Sequence, residues 1–178
     1  MQTAHISGGN TDLGQAQGWT DATTPRYIIA DSATGYDDIL AIGAAGVYVA
    51  MGQNPTTHGG EPFGQMYLAM ADFGSSQGWS VGTTPRLVGD VTGDGIPDIV
   101  GFGYSSTFVA VGSRDSSGNL QFALDPNKTI GDFGTAEGWS GSTLQAIRAL
   151  GTFPSSGSGS HSDLILSGAS NTQIWHYV

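Results

Sequence analysis

The segments "DLGQAQGW" (Asp12–Trp19), "DFGSSQGW" (Asp72–Trp79) and "DFGTAEGW" (Asp132–Trp139) recur at a spacing of 60 residues. A repeat of that length restricts the fold more than any local propensity. Each unit must be one supersecondary structure that completes its core against its neighbours. The match runs on downstream. "TTPR" at Thr23–Arg26 returns at Thr83–Arg86, and "DILAIGAAGVYVAMG" (Asp38–Gly52) pairs with "DIVGFGYSSTFVAVG" (Asp98–Gly112). "DLILSGASNTQIWHYV" (Asp163–Val178) is a looser third copy. Asp163 lies 65 residues after Asp98, which places an insertion of about five residues around "FPSSGSGSHS".

Each full unit holds four short segments rich in β-branched and aromatic residues and punctuated by glycine, the pattern of strands joined by tight turns. In the second unit they are "RLVGDV", "DIVGFG", "STFVAVG" and "LQFAL"; the fourth of the first unit is "GQMYLAMA". Four strands per unit, repeated around a ring, is the signature of a β-propeller blade. Composition agrees: 29 of 178 residues are glycine and only 11% are charged, against about 25% in ordinary globular domains. The expected fold is therefore all-β, a single propeller domain with three blades of about 60 residues, spanning 12–71, 72–131 and 132–178. Propellers close with about four to eight blades, so three leave exposed sheet edges. The third unit stops after "TQIWHYV", while residues 1–11 stand before the first "DLG" as "MYLAMA" stands before the second. The N-terminal segment is expected to supply the missing outer strand, with two chains completing a six-bladed ring as a homodimer. The alternative is a fragment of a longer propeller.

Five basic residues against fifteen acidic ones give a formal charge of −10, which argues against nucleic acid as a partner. Cations, or neutral ligands such as sugars, suit such a surface. The chain has no cysteine, hence no disulfide frame and no thiolate chemistry. Its first residues, "MQTAHISGGN", lack the basic and apolar regions of a secretory signal. No apolar run approaches the roughly 18 residues of a membrane span. A soluble protein is expected, in the cytoplasm or exported by another route.

The few charges are not evenly spread. In "DVTGDGIPDIVGFG", Asp90, Thr92, Asp94 and Asp98 fall at positions 1, 3, 5 and 9 of a loop whose sixth residue is Gly95. That is the ligand rhythm of a calcium loop, with a backbone carbonyl, here of Ile96, at position 7. Gly101 replaces the usual glutamate at position 12, and a strand replaces the helix that normally follows. The competing reading is a solvated turn, but three carboxylates this close repel one another unless a cation joins them. The expected cofactor is one structural Ca2+ held by Asp90, Thr92, Asp94, Asp98 and the Ile96 carbonyl. The first unit's "DSATGYDD" is one residue shorter, with Asp31, Asp37 and Asp38 out of register, and the third retains only Asp163.

"DFGSSQGW…PRLVGDVTGDGIPDIVGFGYSSTFVAVG" resembles a blade of the Psathyrella velutina-type fungal lectins, within the wider integrin-α-like (FG-GAP or VCBS) propeller group. The likeness covers units one and two and the start of unit three. It implies a multivalent, calcium-stabilised lectin that takes N-acetylglucosamine-type or sialylated glycans at shallow sites between blades. The chain departs from that family where Thr24 and Thr84 replace a histidine two residues before the arginine.

Trp19, Trp79 and Trp139 recur with the unit. Two roles fit them: packing between blades, or a platform for the apolar face of a sugar. Arg26 and Arg86, with Arg148 as a displaced third copy, either donate forked hydrogen bonds to a sugar or tie a loop carboxylate. His5, His58, His161 and His176 share no spacing and read as incidental. No nucleophile motif, phosphate loop or HExxH pattern is present, and the deviating third unit has lost acids rather than gained them. A non-catalytic protein is expected. The rival of another class is a calcium-stabilised structural or adhesion module that binds a protein partner.

Overall fold

The computed structural model describes residues 13–129, 133–139, 147–151, 162–167 and 172–176. Among them lie eleven strands in three antiparallel sheets. The first sheet has the order β1 (Arg26–Ile29), β2 (Asp38–Ile42), β3 (Val47–Ala50) and β4 (Tyr67–Met70). The second follows the same order with β5 (Arg86–Gly89), β6 (Asp98–Phe102), β7 (Thr107–Arg114) and β8 (Leu120–Leu124). In the third, β10 (Asp163–Ser167) lies between β9 (Ile147–Gly151) and β11 (Thr172–Trp175). The strands of the first two units coincide with the segments the sequence marks. The expected outer strand at 1–11 lies outside the described residues, as do His5, His161 and the stretch 153–161.

The register repeats with the sequence. Arg26 faces Ala41 and Ile29 faces Asp38 in the first sheet, as Arg86 faces Gly101 and Gly89 faces Asp98 in the second. β2 and β6 are buried along their whole length. This is why "DILAI" and "DIVGF" run apolar without the alternation of a strand that has one wet face. Each such side chain contributes about 1.5–3 kcal/mol of transfer free energy when fully buried.

The chain packs as two compact units: one of residues 1–78 and 114–121, the other of 79–113 and 122–178. The first is centred on Leu40, Ile42, Val47, Val49 and Phe73, each 0% exposed. The second has a core of Val91, Val100, Phe102, Val109, Phe133, Leu164 and Leu166, drawn from two sheets. Gly89 permits the close approach of β5 and β9 there, since a Cβ at that position would stand 2.8 Å from Leu150 Cδ1.

The repeated "DFG" marks a latch. Phe73 and Phe133 adopt left-handed backbone (φ 64° and 63°), uncommon for an aromatic residue, and both rings are buried. Asp72 supports the turn by accepting the Phe73 N–H at 2.6 Å. The next glycine allows backbone to meet backbone: a Cβ on Gly74 would lie 2.4 Å from the Ala44 carbonyl, and one on Gly134 2.5 Å from that of Tyr104. Two N–H groups then close the junction. Ser75 and Ser76 donate to the Gly43 and Ala44 carbonyls (3.3 and 3.0 Å), as Thr135 and Ala136 donate to those of Gly103 and Tyr104 (3.2 and 2.7 Å). The loop that follows "DFG" is thereby pinned to the β2–β3 turn, or to its β6–β7 counterpart.

Candidate functional site

Downstream of the latch, the chain makes a 3-10 turn at Gln15–Gln17 that ends at Gly18 in left-handed backbone (φ 87°) and delivers Trp19. Gly78 (φ 90°) does the same for Trp79, and Gly138 (φ 89°) precedes Trp139. Each indole meets another aromatic ring edge to face. Trp19 packs on Tyr48, Trp79 on Phe108 and Trp139 on Phe133, with centroids 6.0, 5.9 and 5.3 Å apart. Gly43 is the neighbour that makes room, since a Cβ there would stand 3.2 Å from the Trp19 ring. All three tryptophans thus serve packing, and the partly exposed Trp19 also borders a cleft.

That cleft, about 190 Å³, is lined by Gln15, Trp19, Thr20, Asp21 and Arg26. Arg26 forms its inner wall. Its Nη1 donates to the Leu13 and Trp19 carbonyls at 2.8 and 3.1 Å, and its Nη2 to the Asp21 carboxylate. Thr20 and Thr24 brace the rim through 2.6 and 2.9 Å hydrogen bonds. One aromatic edge and several converging polar groups around a small open cleft are what a polar, ring-shaped ligand requires.

The second unit builds this place differently. Val81 stands at the repeat position of Asp21. Arg86 is buried, only 4% exposed, and its Nη1 donates to the Thr84 carbonyl at 2.9 Å. Arg26 and Arg86 therefore both act as struts, and Arg26 also borders a cleft. Arg148 lies on β9, apart from any described loop of this kind.

The aspartate loop is wrapped by its own amides. Asp90 accepts the Gly93 and Gly95 N–H groups at 2.6 and 2.8 Å, and Asp94 that of Ile96 at 2.8 Å. Asp98 is fully buried and accepts three, from Val91, Thr92 and Gly112 (2.8, 3.0 and 2.8 Å). Burial still raises its pKa above the ordinary carboxylate value. Among the described residues no three His, Cys, Asp or Glu side chains are gathered around a common point as metal ligands would be. The donors are nonetheless hard oxygens of the kind Ca2+ takes, and a carboxylate has about four lone-pair sites. Asp90 and Asp94 keep sites to offer.

The first unit's loop contains its own cation. Arg114, at the end of β7, places Nη2 2.5 Å from Asp31 Oδ1, with the two side chains 19% and 2% exposed. Asp31 also accepts the Ala33 N–H and the Thr34 hydroxyl. Asp38 is fully buried, and its Oδ1 takes the Gly52 N–H at 2.7 Å, as Asp98 takes that of Gly112. Its Oδ2 has no hydrogen-bond partner among the described residues. Burial pushes the Asp38 pKa up to about 6, and the nearby Asp31 charge adds to the shift. Sequence reading passed over Arg114, which shares no motif with Asp31 and lies 83 residues from it. It also passed over His176, whose Nδ1 meets the buried Asp163 carboxylate at 2.6 Å. His176 thus has a definite structural partner and is not incidental. His58 is held locally, by Thr57 and the Asn54 carbonyl.

No protein-family model and no curated protein matches the chain. A solved structure of an Agrocybe aegerita lectin does, described as the structural basis of its specific recognition of non-reducing terminal N-acetylglucosamine. The two are 31% identical over 88% of this chain, with a TM-score of 0.70. The match takes in 35% of the lectin, so this chain spans about a third of its length. The chain is thus similar to a fungal lectin in both sequence and fold. No helix among the described residues is long and apolar enough to cross a membrane.

Proposed function

We propose that this chain is a non-catalytic carbohydrate-binding module of a β-propeller lectin, and that it binds glycans ending in N-acetylglucosamine. The observation that carries this reading is the similarity to the Agrocybe aegerita lectin over 88% of the chain, at an identity that reaches beyond shared architecture. The Trp19 cleft is the site it favours. Arg26 there has three of its five N–H groups committed, two to carbonyls and one to Asp21, which leaves two for a sugar hydroxyl or acetamide oxygen. Asp21, with its side chain 95% exposed, adds a carboxylate acceptor at the mouth. A sialic acid would bring its own carboxylate against that charge, so the neutral sugar is preferred here.

Single shallow sites bind weakly, and the test presents them to a multivalent surface. On a glycan array the protein is expected to label N-acetylglucosamine-terminated glycans, with free N-acetylglucosamine competing. Asp21→Asn should raise the signal on sialylated glycans relative to neutral ones. Silence across every terminal sugar would end the lectin reading.

The reading includes one calcium ion at the loop of Asp90, Thr92, Asp94, Ile96 and Asp98, supported by the ligand spacing and by the uncommitted oxygen sites of Asp90 and Asp94. An ion that binds only the folded chain stabilises it by about 2.7 kcal/mol at a hundredfold excess over Kd. The melting temperature should rise in calcium and return to its starting value in chelator. Asp90→Asn should abolish the difference, and an unchanged wild-type melting temperature would remove calcium from the reading.

A further inference from the structure

The chain makes the same junction twice: two N–H groups after a "DFG" glycine donate to two consecutive turn carbonyls, while apolar residues beside them go under cover. The first repeat carries the donor half of a third such junction. Gln15 and Ala16 stand where Ser75 and Ser76 stand one repeat later. Both are exposed, and their N–H groups have no hydrogen-bond partner among the described residues.

The apolar half is present as well. Leu13, Tyr27, Ile28, Ile39 and the Arg26 stem line a cavity of about 270 Å³, and Ile28 is 67% exposed. One repeat on, Phe73 and Ile99 are 0% exposed, and Val88, the counterpart of Ile28, is half-buried. These repeat positions therefore form a face built to be covered, and the cover it fits is another sheet of this repeat.

We propose that this face of the first repeat is an interaction surface for a second copy of this chain. The partner's turn carbonyls would accept the Gln15 and Ala16 N–H groups, and its sheet would cover Ile28. The proposal does not depend on sugar binding.

The test is light-scattering mass of the full chain on a size-exclusion column, for the wild type and three variants. Ile28→Lys places a charge on the open face. Gln15→Pro deletes one donor at the start of a turn whose preceding residue, Gly14, is already extended (ψ 162°), as a residue before proline prefers. Leu68→Lys, at an apolar position on β4 that is 46% exposed, is the control. The expected result is a whole multiple of the chain mass for the wild type and Leu68→Lys, and single-chain mass for the other two. A single-chain wild type, retention of the multiple by Ile28→Lys or Gln15→Pro, or dissociation by Leu68→Lys would each overturn the proposal.

Discussion

Arg114→Ala is expected to lower stability by about 3 kcal/mol, the low end of the range for removing one partner of a buried ion pair. For a chain of this size that corresponds to a drop of roughly 6–12 °C in melting temperature. The loss exceeds that of a surface pair because of what remains. Asp31, with its side chain 2% exposed, is left buried without its ion-pair partner. The buried Asp38 carboxylate, which Arg114 also helps to offset, faces Asp31 with less compensation. The same substitution removes the Arg114 hydrogen bond to the Gly118 carbonyl, which braces the β7–β8 hairpin. The cause can be separated from simple loss of packing. If charge dominates, adding Asp31→Asn to Arg114→Ala should recover part of the stability, because the stranded carboxylate becomes neutral. A variant within about 0.5 kcal/mol of the wild type, the range of ordinary surface substitutions, would show that the pair contributes nothing beyond its geometry.

The Arg114–Asp31 pair also marks the boundary of what the sequence discloses. Strands and their order were legible because their signals are local: the continuous apolar runs of β2 and β6, the glycine-punctuated turns, and a period that aligns one unit with the next. The aspartate spacing of the loop from Asp90 to Asp98 is legible for the same reason, since it falls within nine residues. The function of "DFG" was not. Its phenylalanine reads as an ordinary core residue, and its partners are turn carbonyls, which leave no side-chain signature. Arg26 and Arg86 stand out by repetition, yet repetition cannot tell a strut from a ligand donor. The buried Arg86 and the carbonyl-bound Arg26 show that the repeated position is held first by packing. Asp98 counts as position 9 of a loop, and it is equally the first residue of a buried strand that takes three amide N–H groups. Asp21 escaped notice because it occurs in one unit only. Differences between copies, more than the consensus, are where a repeated scaffold acquires a distinct site.

Stability measured in chelator is expected to fall as pH rises from about 4 to 6, opposite to the trend usual for acidic proteins whose carboxylates are paired. Asp38 is the reason. In the unfolded chain its carboxyl loses its proton near 3.9, whereas burial holds the proton in the folded chain up to about 6. Between those values the folded state binds more protons, so the stabilisation is fully present below the unfolded pKa and is lost through the folded one. A shift of about two units corresponds to about 3 kcal/mol. Asp98 is raised for the same reason and adds to the trend. Asp115 is shifted downward by its hydrogen bonds to Asn119, Ser117 and Gln121, but it is solvent-exposed and opposes the trend only weakly. A calcium ion held by the proposed loop would favour the ionised Asp98 carboxylate and work against the slope, so the scan belongs in chelator. Asp38→Asn keeps an oxygen for the Gly52 N–H and removes the titration, so its stability curve should be flatter over this window. A wild-type melting temperature that rises from pH 4 to 6, or an Asp38→Asn curve as steep as the wild type's, would mean that the loop relaxes to hydrate the carboxylate. Asp38 would then be ionised in the folded chain, with Arg114 as its working counter-charge.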